Sequence, residues 1–292
     1  MAEQRKDVDK LTGTATTGHE WDGIHELNTP LPRWWLWLFY ITIVWAIGYW
    51  IVYPAWPLVT NATQGVFGWH SRTAVEADLD QLRQQRGPMM AKLTRASVAE
   101  IVSDPQLLDF ARAEGRVAFA DNCAPCHGAG GGGAKGYPNL NDDDWLWGGK
   151  LAQIERTITH GARSGDDKGH QGNMPAFGRD GILKPEQISQ VADYVRSLSG
   201  LSVEPGTDLV AGKRIFADNC AVCHGPDGKG KLDLGSADLT DKIWLYGSDK
   251  ATIMQGIING RGGQMPAWIG RLSDPTIKAL TVYVWTFGGG VK

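Results

Sequence analysis

Two short segments of this 292-residue chain combine residue types that can bond to and ligate a prosthetic group: Cys123-Ala-Pro-Cys126-His127 and Cys220-Ala-Val-Cys223-His224. Cys-x-x-Cys-His is the attachment pattern of a c-type haem. Each thiol forms a thioether with one vinyl group, helical spacing puts both sulfurs along one edge of the macrocycle, and the adjacent imidazole reaches the iron. Other chemistries fit less well. Two thiol pairs can make one four-thiolate zinc site, but these stand 97 positions apart and each brings its own His. A thioredoxin-type redox pair belongs in a βαβ setting, which nothing around these thiols suggests. Four cysteines in all are too few for a disulfide-dense scaffold.

An iron held by His needs a second axial ligand from elsewhere. Met174 and Met265 lie 47 and 41 residues after His127 and His224, and each opens a Met-Pro-Ala-aromatic run that can hold a thioether against the metal. His160 and His170, just upstream of Met174 in a Gly-rich stretch, compete for the first iron; the second unit offers no matching His. A His/Met pair raises the reduction potential and leaves no open position for a substrate, which suits electron transfer and assigns no catalytic residue.

The motifs belong to a repeat. Phe119-Ala-Asp-Asn-Cys-Ala-Pro-Cys-His-Gly128 matches Phe216-Ala-Asp-Asn-Cys-Ala-Val-Cys-His-Gly225. Downstream, Trp145-Leu-Trp-Gly148 answers Trp244-Leu-Tyr-Gly247, Met174-Pro-Ala-Phe177 answers Met265-Pro-Ala-Trp268, and Tyr194-Val195 answers Tyr283-Val284. Four landmarks in the same order predict two tandem cytochrome c-like all-α domains, at 108–200 and 205–292. Helices are expected at 109–122 and 206–219, each ending at a Cys motif. Ile188, Val191, Tyr194, Val195 and Leu198, like Ile277, Leu280, Tyr283, Val284 and Phe287, keep the spacing of an amphipathic closing helix. Each repeat thus carries its own Cys motif, its own Met and its own closing helix, with Met174 expected at the first haem and Met265 at the second. Residues 54–107 read as a linker and charged helical spacer, broken at Gly87-Pro88.

Residues 34–53 form an uncharged run rich in Trp and Tyr at both ends. At about 1.5 Å per residue, such a helix crosses the roughly 30 Å of a bilayer's hydrocarbon. Arg5, Lys6, Lys10 and Arg33 precede it, and the next basic residue is Arg72. The positive-inside rule then predicts a cytoplasmic N-terminal segment, 1–33, a single anchor and exported haem domains. A net charge of -3 argues against a basic nucleic-acid binder, and 38 glycines without a collagen period fit loop-rich globular domains. Asp142-Asp143-Asp144 is a solvated run or a docking patch for a basic redox partner.

With the segment Trp21-Asp-Gly-Ile-His-Glu-Leu-Asn-Thr-Pro-Leu-Pro-Arg-Trp-Trp35, the anchor ending Tyr53-Pro-Ala-Trp-Pro57 and the two haem units, nearly the whole chain resembles the CcoP/FixP subunit family of cbb3-type haem-copper oxidases. The resemblance implies two covalently bound haem c groups on Cys123, Cys126, Cys220 and Cys223, His127 and His224 as proximal ligands, and Met174 and Met265 as distal ones. It implies a dihaem electron-transfer subunit of a bacterial inner membrane, not itself catalytic. Electrons would come from a periplasmic or membrane-bound cytochrome c and go to a monohaem cytochrome subunit and the oxygen-reducing catalytic subunit. A free-standing anchored dihaem carrier and a dihaem peroxidase are the alternatives.

Overall fold

In a computed structural model, residues 8–289 are described and fall into two compact units that part between Gln85 and Arg86. Arg5 and Lys6, two of the four basic residues behind the expected orientation, lie outside the described residues. The first unit opens with a hairpin absent from the sequence expectation, β1 (Thr16–Trp21) against β2 (Ile24–Leu27). Its turn is Asp22-Gly23, both at positive φ (50° and 84°), which is the backbone a tight two-residue hairpin requires. Helix α1 (Arg33–Val52) follows, starting after Pro32 and burying none of its side chains. That lack of burial, with a composition apolar on every face, is what a lipid-facing helix shows.

Helix α2 (Ser71–Arg95) runs through Pro88 instead of breaking there. Gln84, whose carbonyl Pro88 cannot serve, is exposed, so water satisfies it and the helix continues. In the second unit come α3 (Val98–Ser103), α4 (Pro105–Asn122), α5 (Ala124–His127), α6 (Leu151–His160), α7 (Pro185–Leu198), α8 (Leu209–Asn219), α9 (Ala221–His224), α10 (Lys250–Asn259) and α11 (Asp274–Trp285). Their starts are written in local chemistry. Ser97 and Glu100 form a reciprocal cap on α3, and Asp104 accepts from the amides of Gln106 and Leu107 ahead of Pro105.

The packing of these helices crosses between the repeats. Helix α4 lies along α11, and α7 lies along α8, so each repeat's first helix is paired with the other repeat's last one. Helix α6 likewise meets α11, and α10 meets α7. One core gathers Phe119, Ile154 and Ile158 with Ile277, Leu280 and Val284; another gathers Ile215, Phe216 and Ile257 with Phe177, Ile188 and Val191. Phe119 and Phe216 are 1 % exposed, and burying each contributes roughly 1.5–3 kcal/mol. The close approach is built by Gly115 and Gly212: a Cβ on either would strike the carbonyl of Ala279 or of Gln190 on the partner helix.

Two short antiparallel bridges mark the crossing itself. Ala162 exchanges backbone hydrogen bonds with Met265 (2.9 and 3.0 Å), and Arg261 exchanges them with Met174 (2.9 and 3.2 Å). Gly161 and Gly260 precede them at φ 70° and 73°, where a Cβ would collide with the Met265 and Met174 carbonyls respectively. The connection 199–208 offers the reason for the exchange. It is short enough that α8 meets α7 at little loop-closure cost, and once those two pair, α4 is left to find α11.

Candidate haem clefts

At the second motif, Cys220 closes α8 and the chain turns at once into α9, with the amides of Cys223 and His224 donating to the Cys220 carbonyl (3.1 and 2.9 Å). That single turn places both thiols and the imidazole together. His224 Nδ1 is 3.0 Å from the Ala237 carbonyl, which fixes the ring and leaves Nε2 as the free nitrogen. The first motif repeats the device: Cys126 and His127 amides reach the Cys123 carbonyl at 3.1 and 2.9 Å, and His127 Nδ1 is 2.9 Å from the Pro138 carbonyl. Burial, with the neighbouring thiol of each pair, pushes Cys123 and Cys220 up to about 11. Burial also holds His224 below the usual imidazole range, so its ring is a neutral donor.

The methionines do not lie where the tandem reading put them. Met174 lines the cleft that contains Cys220, Cys223 and His224, together with Phe177, Val195, Phe216 and Trp244. Met265 packs with Cys123 against the Phe119, Ile154 and Leu280 core. The expectation that Met174 faces His127 and Met265 faces His224 is therefore corrected: the two bridges carry each Met loop across to the other motif. The competing histidines are engaged elsewhere. His160 Nδ1 meets Asp166 Oδ2 at 3.0 Å, while His170 stacks on Trp147 at 4.3 Å and places Nε2 2.9 Å from Thr157 Oγ1.

The lining fits a flat, largely apolar ring with carboxylate tails. Trp145 Nε1 donates to the Asp142 carbonyl at 2.9 Å. Its counterpart Trp244 is half-buried in the lining of the second cleft, and its buried indole N–H is unpartnered among the described residues, a donor suited to an acidic acceptor. Arg163 and Arg261 reach the same cleft. Arg163 donates to the Gly172 carbonyl at 2.8 Å, and the Arg261 guanidinium lies 3.9 Å over the Tyr246 ring. Sequence reasoning assigned these three no role. Trp244 was visible as a repeat landmark, whereas nothing near Arg163 or Arg261 in sequence points to a cleft formed by the other motif.

Three family models match successive parts of the chain. Residues 13–60 match the N-terminal domain of cytochrome oxidase-cbb3, FixP; residues 112–199 match cytochrome c; and residues 207–284 match cytochrome C oxidase, cbb3-type, subunit III. The chain is 67% identical over 285 residues to the cbb3-type cytochrome c oxidase subunit FixP of Azorhizobium caulinodans, covering 97% of this chain and 96% of that one. The chain belongs to the FixP/CcoP family. The FixP subunit of a Bradyrhizobium species is 61% identical (97% and 98% covered), and the CcoP subunit of an Azospirillum species 50% identical (99% and 100% covered). Membership makes this an electron-transfer subunit of a cbb3 oxidase, partnered by other oxidase subunits and anchored in a membrane by α1. Its cytochrome c domains imply covalently bound haem c.

Proposed function

We propose that the chain carries two haem c groups and relays single electrons from a periplasmic or membrane-bound cytochrome c towards the monohaem and catalytic subunits of its oxidase. Cys123 and Cys126 would tether one group, with His127 and Met265 to hold its iron. Cys220 and Cys223 would tether the other, with His224 and Met174. When bound, haem c supplies a one-electron iron couple. The protein's part is to hold it: carbonyls of Pro138 and Ala237 keep each imidazole turned, the apolar walls exclude water, and the Met loops are clamped by the two backbone bridges. The observation carrying this reading is the second cleft, where two thiols, an oriented His and a Met from the other repeat share one lining.

The subunit is single-pass, with residues 1–33 cytoplasmic and both haem domains periplasmic. Lys10 ahead of α1 and Arg33 as its first residue, with no Lys or Arg after it until Arg72, support that orientation. A pyridine haemochrome assay on purified protein is expected to return two haems per chain, and any other count overturns the dihaem reading. Co-elution from gently solubilised membranes with a copper- and haem-containing core is expected; elution alone would make the chain a free-standing carrier.

A further inference from the structure

The anchor needs about 20 apolar residues, yet the uncharged stretch runs on from Trp34 to Ser71, well past the end of α1 at Val52. The surplus is folded, and it is folded onto the end of the helix. Amides of Val66 and Phe67 donate to the Ile51 and Val52 carbonyls at 3.0 and 3.2 Å, taking two of the acceptors that the last turn of a helix leaves open. Gly65, at φ 70°, permits this approach, because a Cβ there would strike the Val52 carbonyl. Between, Pro57 and Ala62 pair across a tight turn, and Thr63 Oγ1 accepts from the amides of Ala55 and Trp56 at 3.3 and 3.1 Å.

With its backbone so occupied, the segment turns apolar side chains outward. Trp56, Leu58, Val66, Phe67 and Trp69 are all exposed, and Val59 at the turn is fully so. Aromatic rings tie them to the helix end: Trp50 meets Trp56 at 4.9 Å, and Tyr53 meets Phe67 and Trp69 at 5.6 and 5.9 Å. In water this would be a rigid, exposed apolar patch, which soluble surfaces avoid. We infer that residues 54–69 form a collar seated in the headgroup layer of the bilayer, a second membrane contact beyond the span. The occupant is lipid rather than protein for three reasons. The patch is continuous with a lipid-facing helix, three of its six large exposed side chains (Trp56, Phe67 and Trp69) are rings of the kind that amphipathic membrane-surface segments bury, and it holds no charge with which to select a protein partner. The inference rests on α1 being a membrane span.

The test uses the haem-loaded chain in phosphatidylcholine vesicles, with one thiol introduced at a time by Val59→Cys, Val66→Cys, Val44→Cys or Arg72→Cys, and an impermeant maleimide as probe. The native cysteines, bound as thioethers, set the background. Positions 59 and 66 are expected to react about tenfold more slowly than position 72 in vesicles. Equal rates in vesicles overturn the collar. Protection appearing only when other oxidase subunits are present also overturns it, since the occupant is then protein. Position 44 separates the two readings: if it too reacts quickly, the span itself has failed.

Discussion

The cleft at Cys123 and the cleft at Cys220 are built on one plan and differ in what surrounds it. Both use a Cys-x-x-Cys-His turn, a carbonyl that orients the His, and a Met supplied from the opposite repeat. At the first, the Trp145 N–H is already spent on a backbone carbonyl; at the second, the Trp244 N–H has no partner among the described residues and two arginines join the lining. Under the second cleft, Lys250 pairs with the buried Asp193 at 2.7 Å, where the equivalent positions of the first are Leu151 and Val282. On the proposed assignment, the same ligand types in unlike electrostatic surroundings would give two potentials, which is what a relay needs in order to have a direction.

The largest expected effect comes from the methionines. Met174→Ala should lower the potential of the haem on Cys220 and Cys223 by tenths of a volt, within the ~0.8 V that axial ligands command, and leave the other haem nearly unchanged. Met265→Ala should do the reverse. Redox titration of chains that keep only one Cys pair reads each haem separately. If Met174→Ala instead shifts the haem on Cys123 and Cys126, the crossing is wrong.

How much of this was legible beforehand follows from what a repeat records. The span, both haem motifs and the recurring Met loops are local patterns, and they read directly. The crossing is not local. Phe119 with Tyr283 and Phe216 with Tyr194 make the same ring contact that a self-contained pair, Phe119 with Tyr194, would have made, so the apolar pattern is indifferent to which copy is the partner. Only the length of the connection 199–208 hints at the choice. The hairpin at Thr16–Leu27 escaped for a different reason: its strands are short and mostly exposed, with the Asp22-Gly23 turn as the lone signal.

A smaller effect separates the two assemblies by stability. Lys250→Met leaves the Asp193 carboxylate, which is 2 % exposed, without its cation and with only the Thr207 hydroxyl donating to it, and should destabilise the second assembly by roughly 3–5 kcal/mol. The double change Lys250→Leu with Asp193→Val copies the first assembly and should recover most of that loss. Denaturant midpoints decide it, and a double variant no better than the single one would show that the ion pair is not what distinguishes the halves. Smaller again, and symmetric, are Gly161→Ala and Gly260→Ala. Each places a Cβ against a Met carbonyl at positive φ and should cost about 1–3 kcal/mol. A penalty at only one of the two would mean that the bridges are not equivalent.

The least effect, and the most diagnostic in its pH dependence, belongs to Asp144. Asp142 and Asp241 are repeat equivalents, but Asp144 stands where the second repeat has Ile243. Burial first, then the charges of Asp241, Asp142 and Asp238, raise its carboxyl to about 6. The unfolded value is near 3.9, so between about pH 4 and 6 the folded chain holds more protons than the unfolded one, and stability falls as pH rises through that window. Above it the full penalty remains, reduced by partial exposure to about 1 kcal/mol. Asp144→Asn should therefore stabilise the protein at pH 7.5, with the gain vanishing below about pH 4. Guanidinium midpoints of both proteins across that range would show it. A gain that did not change with pH would locate the effect in packing, and the acidic asymmetry between the repeats would then have no electrostatic consequence.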